Sequence, residues 1–323
     1  MKLAAKSAVD VLRAAGEPTR LRILALLHRE ELAVMELGQI LDQSQPRVSR
    51  HLKLLTEAGL VERFPDGAWM FYRLATHGPR RALLDETLRL IQPDDPLLTL
   101  DLSRLETVRA SRLHLAADYF AQNATRWNEL RSLYVAEAEV EAAILAAAGP
   151  GPFTQLVDLG TGAGRMLTLL GERADLAVGL DLSQQMLNIA RQQTREAGLA
   201  HCELRHGDIF ATRLPDGFAD LVVVHQVLHY LSDPATAVAE AARLVQPDGR
   251  LLIIDFAPHQ LEFLREMHRH RRLGFSDGEI ARWLAAAGLD PAKPVTLPAR
   301  DEHGLTVKIW TAARASANSR SAA

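Results

Sequence analysis

A single cysteine, Cys202, in 323 residues excludes an internal disulfide and leaves no thiolate cluster for a structural zinc. Long apolar runs are missing as well. The N-terminal stretch MKLAAKSAVDVLRAAGEPTR is broken by charges, and no later stretch approaches the roughly 20 apolar residues that span a bilayer. Both absences point away from secretion and membrane insertion and toward a reducing cytoplasm. No charge of one sign dominates, since the net charge is −3, and with 48% hydrophobic and 24% charged residues the chain is neither fibrous nor disordered. Its length exceeds what one core usually supports, so two domains are expected. The charge is unevenly spread: residues 1–90 hold 14 Lys/Arg against 11 Asp/Glu, and the remainder 23 against 29.

Apolar spacing at helical period marks residues 4–15 and 18–28, separated by Gly16-Glu17, with Pro18 suited to a first turn. A short helix is expected over Val34–Leu41 and another from Pro46 to Ala58, stopped by Gly59. The period then falls to two, and Leu60–Phe64 and Trp69–Leu74 read as a hairpin around Pro65-Asp66-Gly67, followed by a helix near Pro79–Ile91. Residues 92–111 begin with a Pro- and Asp-rich stretch and read as a linker, with helical spacing returning from about Ser103 to Ala147. From Leu156 strands and helices alternate: strands at 156–159, 176–180, 202–205, 221–224, 251–254 and 306–311, helices at 164–173, 183–197, 234–245 and 276–287. That alternation predicts a parallel sheet covered on both faces. The Ala/Ser-rich end, 313–323, reads as a disordered tail.

On a helical wheel, Val48, Leu52 and Leu55 of Pro46–Ala58 form one stripe, and Arg50 and Lys53 point away from it. Arg47 and Ser49 flank the basic face, while Ser44 and Gln45 precede the helix where polar groups can meet phosphate. An apolar side for docking and a cationic side for phosphates and guanine edges are what a helix in a major groove needs. Arg63 and Arg73 on the hairpin add backbone contacts. His51 lies toward the buried edge and reads as a packing or capping residue. The run SQPRVSRHLKLLTEAGLVERFPDGAWMFYRL resembles the recognition helix and wing of ArsR-family winged-helix regulators, over about residues 5–90. The resemblance implies a mainly α winged helix-turn-helix domain over 1–91, a homodimer and a two-fold double-stranded DNA operator. Metal-sensing members hold soft metals with cysteines in the segment Glu31–Leu37; Ala33 and Met35 stand there instead, so no metal site is expected at that place.

In the C-terminal part, Val157-Asp158-Leu159-Gly160-Thr161-Gly162-Ala163-Gly164 closes a strand and opens a helix, and Asp181 follows 17 residues after Gly164 at the next strand tip. Such glycines let backbone approach a ligand, and an acid at the second strand tip can take both ribose hydroxyls. The G-x-G-x-G spacing differs from the dinucleotide pattern G-x-G-x-x-G. Asp158 would repel a pyrophosphate and attract an ammonium group, which favours S-adenosylmethionine over NAD. Gly207-Asp208-Ile209 ends the third strand, with Asp208 able to accept from an adenine amino group. Asp220–His229 and Val245–Leu251 follow in order.

These ordered segments resemble class I SAM-dependent methyltransferases over residues 112–312, with 112–149 as a helical lead-in. The resemblance implies a Rossmann-like doubly wound sheet and hence an α/β chain overall. It also implies S-adenosyl-L-methionine or S-adenosylhomocysteine bound by Asp158, Gly160, Thr161, Gly162, Gly164, Asp181, Leu182, Asp208, Ile209 and His225. Tyr119, Phe120, Asn123 and Trp127 of the lead-in resemble a segment that covers the nucleotide. His225 and His229 follow the fourth strand near the expected transfer zone, where either can deprotonate a small-molecule acceptor; either can instead be a histidine packed at the strand-to-helix turn, a reading that weighs more for His229, so His225 is the candidate base. His-Gln-Val-Leu after the fourth strand stands where enzymes that methylate nucleobase or amide nitrogens carry Asp/Asn-Pro-Pro-Tyr, and the lone Cys202 disfavours arsenite methylation. His259, Glu262, Glu266, His268 and His270 read as the polar face of a solvated helix. Three functions stay open at this point: a DNA-binding regulator responsive to the ligand, a methyltransferase of a quinone-like or lipophilic small molecule whose winged helix serves dimerisation or autoregulation, and a winged helix used only for protein interaction.

Overall fold

The computed structural model describes residues 3–66, 68–75, 78–123, 137–299 and 304–314, with backbone alone over 113–123. The chain divides into two compact units, Met1–His114 and Leu115–Ala323. Among the described residues no helix is long and apolar enough to cross a membrane. Residues 315–323, the side chains of Tyr119, Phe120 and Asn123, and Trp127 lie outside the described set.

The first unit runs α1 (Ala5–Ala15), α2 (Pro18–Leu27), β1 (Leu32–Ala33), α3 (Val34–Leu41), α4 (Gln45–Glu57), β2 (Val61–Asp66), β3 (Trp69–Leu74), α5 (Pro79–Arg89) and α6 (Pro96–Asn123), which passes the unit boundary. The strands pair antiparallel in the order β1-β3-β2. Ile23, Leu24, Leu37, Ile40, Val48, Leu52 and Leu55 are fully buried in one core with Leu60 and Val61. Two of the helix starts are capped by an acid. Glu17 accepts the Arg20 N–H at 2.9 Å to cap α2, and Glu36 accepts the Ala33 N–H at 2.8 Å at the head of α3. Helix α4 closes with Gly59 N–H on the Thr56 carbonyl and Leu60 N–H on that of Leu55, a Schellman arrangement whose following residue, Leu60, returns to the core.

Three expectations need correction here. The hairpin turn lies later than Pro65-Asp66-Gly67, because Pro65 pairs with Met70 and Asp66 with Trp69. Strand β2 is at the sheet edge, where proline's missing N–H costs no ladder bond. Gln45 is the first residue of α4 rather than a residue preceding it. The segment 92–111 is not an irregular linker: α6 begins at Pro96, and Asp95 Oδ1 accepts the N–H groups of Leu97 at 3.0 Å and Leu98 at 3.2 Å. The Pro/Asp composition read as a linker is a helix start, with acid cap and first-turn proline. Asp101, Leu105 and Val108 are buried, the two apolar residues in the first core. Arg22 holds Asp101 through two bonds of 2.6 Å, Arg104 donates to the Ile40 carbonyl, Arg109 reaches Glu30, and Arg112 reaches Glu30 and Glu36.

The second unit contains α7 (Glu137–Ala148), β4 (Phe153–Leu159), α8 (Arg165–Leu170), β5 (Ala174–Asp181), α9 (Gln184–Glu196), β6 (Cys202–His206), β7 (Ala219–His225), α10 (Pro234–Leu244), β8 (Val245–Phe256), α11 (Phe263–His268), α12 (Asp277–Ala286), β9 (Asp290–Pro291), β10 (Val295–Leu297) and β11 (Val307–Ala313). One eight-stranded sheet has the order β10-β11-β8-β7-β4-β5-β6, with β9 also on β11. Side chains alternate across it. Val157, Leu159, Val222, Val224, Leu251 and Ile253 pack toward α10 and α12, while Leu156, Leu221, Val223, Leu252 and Ile254 pack toward α7 and α8. Two cores on two faces make the doubly wound arrangement. The sheet is not wholly parallel, as expected from the alternation: β11 runs antiparallel to β8, from Val307 opposite Phe256 to Ala313 opposite Arg250. Periodicity reports which side chains are buried and carries no strand direction. Ala313 therefore ends a strand and does not open the tail.

Candidate functional sites

In the first unit the basic side of α4 faces outward. Arg47 and Arg50 are exposed, and Lys53 lies 3.9 Å from Glu57 with both side chains more than half exposed. Ser44 holds the extended conformation of a cap residue but makes no side-chain cap bond; it and Gln45 are exposed, and Ser49 is half-buried. Helix α4 thus presents a polar N-terminus beside its cations, which suits phosphate. His51 turns inward, its Nδ1 3.3 Å from Glu17 Oε2. The two wing arginines differ. Arg63 is exposed, whereas Arg73 is 18% exposed, paired with Glu62 at 3.1 Å and Glu31 at 3.5 Å and seated over the Phe64 ring. Arg73 therefore braces the wing.

In the second unit, β4 lies between β5 and β7, so its C-terminal end is the point where strand order reverses, and ligands of open α/β sheets bind there. The turn after it is Gly160–Gly164. Gly160 adopts φ +73°, its N–H and that of Thr161 both donate to the Leu180 carbonyl at 2.8 Å, and a Cβ on it would meet Val227 Cγ2 at 2.5 Å. Gly164, at φ +85°, faces Ala190 of α9. These two glycines thus meet Val227 and α9, so their immediate neighbours are protein rather than an open approach. Gly162 N–H donates to Asp181 Oδ2 at 2.8 Å, and Ser183 N–H to Asp181 Oδ1 at 2.7 Å, which fixes the second acid at the tip of β5.

Asp158 is 1% exposed at the penultimate position of β4. Thr161 donates to its Oδ2 at 2.6 Å, and its Oδ1 has no hydrogen-bond partner. Burial pushes its carboxyl up to about 7, the Thr161 bond opposes this, and nearby Asp181 adds to it. Asp181 is likewise raised, first by burial, against the lowering effect of its backbone donors. Two neighbouring carboxyls, Asp158 buried with an orphan oxygen and Asp181 half-buried, fit a ligand bearing a positive charge. Leu182, beside Asp181, leaves an apolar side chain 42% exposed. Asp208 is half-buried and accepts the Phe210 N–H at 3.0 Å, and Ile209 is buried. His225 ends β7, half-buried.

A buried pair went unread in the sequence. His229 Nδ1 lies 2.7 Å from Asp255 Oδ1, and His270, expected on a solvated helix, is buried with its ring 4.1 Å from that of His229. Helix α11 stops at His268, and Arg269 at φ +60° turns the chain inward, so the five polar residues do not share one face. Among the described residues no group of three or more His, Cys, Asp or Glu could hold a metal. The readable signal was Asp255 itself, an acid inside the run Leu251-Leu252-Ile253-Ile254-Asp255-Phe256.

Residues 17–63 match the family model described as bacterial regulatory protein, arsR family, and residues 157–253 match the methyltransferase domain model. The chain is 39% identical over 99 residues to the arsenical resistance operon repressor of Escherichia coli (strain K12), covering 30% of this chain and 85% of that protein. It is 26% identical over 136 residues to the methyltransferase YcgJ of Bacillus subtilis (strain 168), covering 41% of this chain and 54% of that one. The chain spans about half the length of several curated relatives it matches. A chain from the complex of the Haloferax volcanii Trm112 methyltransferase activator with a methyltransferase superposes with TM-score 0.50 at 21% identity, covering 61% of this chain and 97% of that one. That likeness agrees with the fold of the second unit.

Proposed function

We propose, for a chain that belongs to the bacterial arsR family of regulatory proteins and carries a methyltransferase domain with S-adenosyl-L-methionine as its cofactor, that it is a ligand-responsive transcriptional regulator of the cytoplasm. On this reading the winged helix binds double-stranded DNA, and the second unit binds S-adenosylmethionine or S-adenosylhomocysteine, transfers methyl groups to a small acceptor and reports its ligand state to the DNA. The carrying observation is the orphaned, buried Asp158 oxygen at the glycine turn, in the same chain as an outward basic recognition helix.

Asp158 and the Gly160–Gly164 turn would hold the methionine end of the cofactor, with Thr161 fixing the carboxylate. Asp181 would take the ribose hydroxyls, Leu182 and Ile209 would border the adenine, and Asp208 would accept from its amino group. When bound, the cofactor supplies a methyl carbon activated by a sulfonium, and what remains for the protein is alignment and exclusion of water. On the DNA side, Arg47, Arg50, Lys53 and Arg63 would meet phosphate and guanine, with Ser44, Gln45 and Ser49 at the helix N-terminus. Val9, Leu12, Leu97 and Leu100 leave 44–51% of their surface exposed on α1 and α6, which supports pairing of two copies on a two-fold operator.

Coupling requires the ligand to bind DNA-competent and DNA-incompetent forms unequally. The test is selection of a preferred duplex from a random library, followed by anisotropy titration of the full chain with and without S-adenosylhomocysteine. A shift in DNA affinity of about 5-fold or more is expected, within the usual range of allosteric coupling. Equal affinities over saturating ligand overturn the regulatory reading.

A further inference from the structure

Helices α2, α5 and α6 leave a cavity of about 120 Å³ between them, all of it inside the first unit. Its lining is mostly apolar: Leu26 comes from α2, Leu88 from α5, and Leu98 and Leu102 from α6. Asp101, 1% exposed, lines its inner end, and His28, Arg29, Gln92 and Pro93 at its edge are exposed. A ligand therefore enters from solvent with no segment displaced. Packed interiors hold few spaces larger than a water molecule, and an apolar cavity of about 150 Å³ in another protein is enough to hold benzene. One small ring or short branched chain fits here; an adenosyl ligand does not.

The charges on the lining select the sign of the ligand. Arg22 donates Nε and Nη2 to Asp101 in two bonds of 2.6 Å, and Nη2 also reaches the Leu41 carbonyl at 3.4 Å. Both oxygens of Asp101 are thus occupied, and the pair cancels in charge. What is left is Nη1 of Arg22, which has no hydrogen-bond partner among the described residues, on a side chain only 12% exposed. Arg29 adds a second guanidinium, with no ion pair or side-chain hydrogen bond among the described residues. Burial first, and then Arg81, push the His28 imidazole below its ordinary range against the pull of Asp85, so it carries no charge near neutral pH. One unbalanced positive charge therefore borders a mainly apolar cavity, and a guanidinium edge is shaped to meet a carboxylate. A cation would find two guanidinium groups and no free acid.

We propose that this cavity binds a small carboxylate whose apolar body is about one ring in size, with Arg22 Nη1 and Arg29 taking the carboxylate and the leucines taking the body. The site belongs to the winged-helix unit and does not depend on the reading of the second unit as a cofactor site. Its ligand differs from the methyl donor in both charge and size. Helix α2, which supplies Arg22 and Leu26, shares one core with Val48, Leu52 and Leu55 of α4, so the site lies one helix away from the outward basic face.

The test is an NMR titration of the full chain with benzoate, with benzamide and benzylammonium as neutral and cationic probes of similar shape. Saturable benzoate binding is expected, with benzamide at least about tenfold weaker, the worth of a charge-assisted hydrogen bond, and with no binding of benzylammonium. Leu98→Trp fills the cavity and removes benzoate binding. Arg29→Gln, at an exposed position with no partner to lose, weakens benzoate about threefold or more and leaves benzamide unchanged, which decides the matter if Leu98→Trp does not fold. No saturable benzoate binding, binding of the neutral or cationic probe as tight as that of benzoate, or benzoate binding that survives both substitutions overturns the proposal.

Discussion

Thr161 Oγ1 donates to Asp158 Oδ2 at 2.6 Å and leaves the other oxygen of that buried carboxylate without a partner. One hydrogen bond does not offset full burial, and the carboxyl rises to about 7. A positively charged ligand group supplies what the site lacks, so Asp158→Asn weakens S-adenosylhomocysteine by about 10–100-fold, the worth of a charge-assisted hydrogen bond. Above pH 7, where the carboxyl of the empty site is ionised, the same change removes an unpaired buried charge and raises the stability of the ligand-free chain by about 1–3 kcal/mol. Calorimetry and denaturant titration measure the two effects; a variant that is both weaker-binding and less stable contradicts this account.

The same group sets a pH dependence. Below about 7 the empty site holds Asp158 protonated and neutral, so affinity for the cationic ligand falls about tenfold per pH unit from 7 toward 5 and levels off above 7. Its folded value stands above the roughly 3.9 of an unfolded chain. This group's contribution to stability therefore grows as pH falls from 7 toward 4, and diminishes as pH rises through that window. Asp158→Asn flattens both trends, and a binding profile unchanged by the substitution assigns the titration to another group.

Gly160 is needed twice over, for φ +73° and for the 2.5 Å approach of Val227 Cγ2 to its missing Cβ. Gly160→Ala costs about 2–5 kcal/mol, combining left-handed strain of about 1–2 with overpacking of about 1–3. In a Val227→Ala background the cost of Gly160→Ala falls to the strain alone. Denaturant titration of the four proteins gives the coupling, and equal costs in both backgrounds would show that Val227 is not the constraint.

Elements defined by local period were legible in the sequence. Val48, Leu52 and Leu55 marked the buried stripe of α4, and Gly160–Gly164 with Asp181 marked the strand tips that the sheet brings together. What could not be read depends on distant partners. Arg73 carries the same charge as Arg63, and only Glu31 and Glu62 make it a brace. His229 and Asp255 are 26 residues apart on adjoining elements, so no local period joins them. Pro96 was legible but ambiguous, because proline after an acid opens helices as readily as it ends them.

Asp101 of α6 is 1% exposed and held by two 2.6 Å bonds from Arg22 of α2. Losing one member of a buried ion pair strands the other, at about 3–5 kcal/mol. Asp101→Ala should cost about that much, whereas the double change Arg22→Met with Asp101→Leu costs less than the single, since no charge is left unpaired. Denaturant titration of the full chain distinguishes them, and a double variant less stable than Asp101→Ala contradicts the pairing argument.

The outward face of α4 and the wing predict different losses from residues of equal charge. Arg50 and Lys53 are exposed and contribute little to the fold, so Arg50→Ala and Lys53→Ala leave the melting temperature unchanged. Each should weaken DNA binding and lower the slope of log affinity against log salt by about 0.9, the counterion release of one phosphate contact. Arg73 bridges Glu31, just before β1, and Glu62 of β2 and covers Phe64; Arg73→Ala lowers the melting temperature, and its salt slope stays near that of the parent, because no phosphate contact is removed directly. Anisotropy titrations at several salt concentrations separate the classes. Were Arg73→Ala to lower the slope by a full contact at unchanged stability, the wing arginine would be reading the backbone after all, and the bracing role assigned to it would fall.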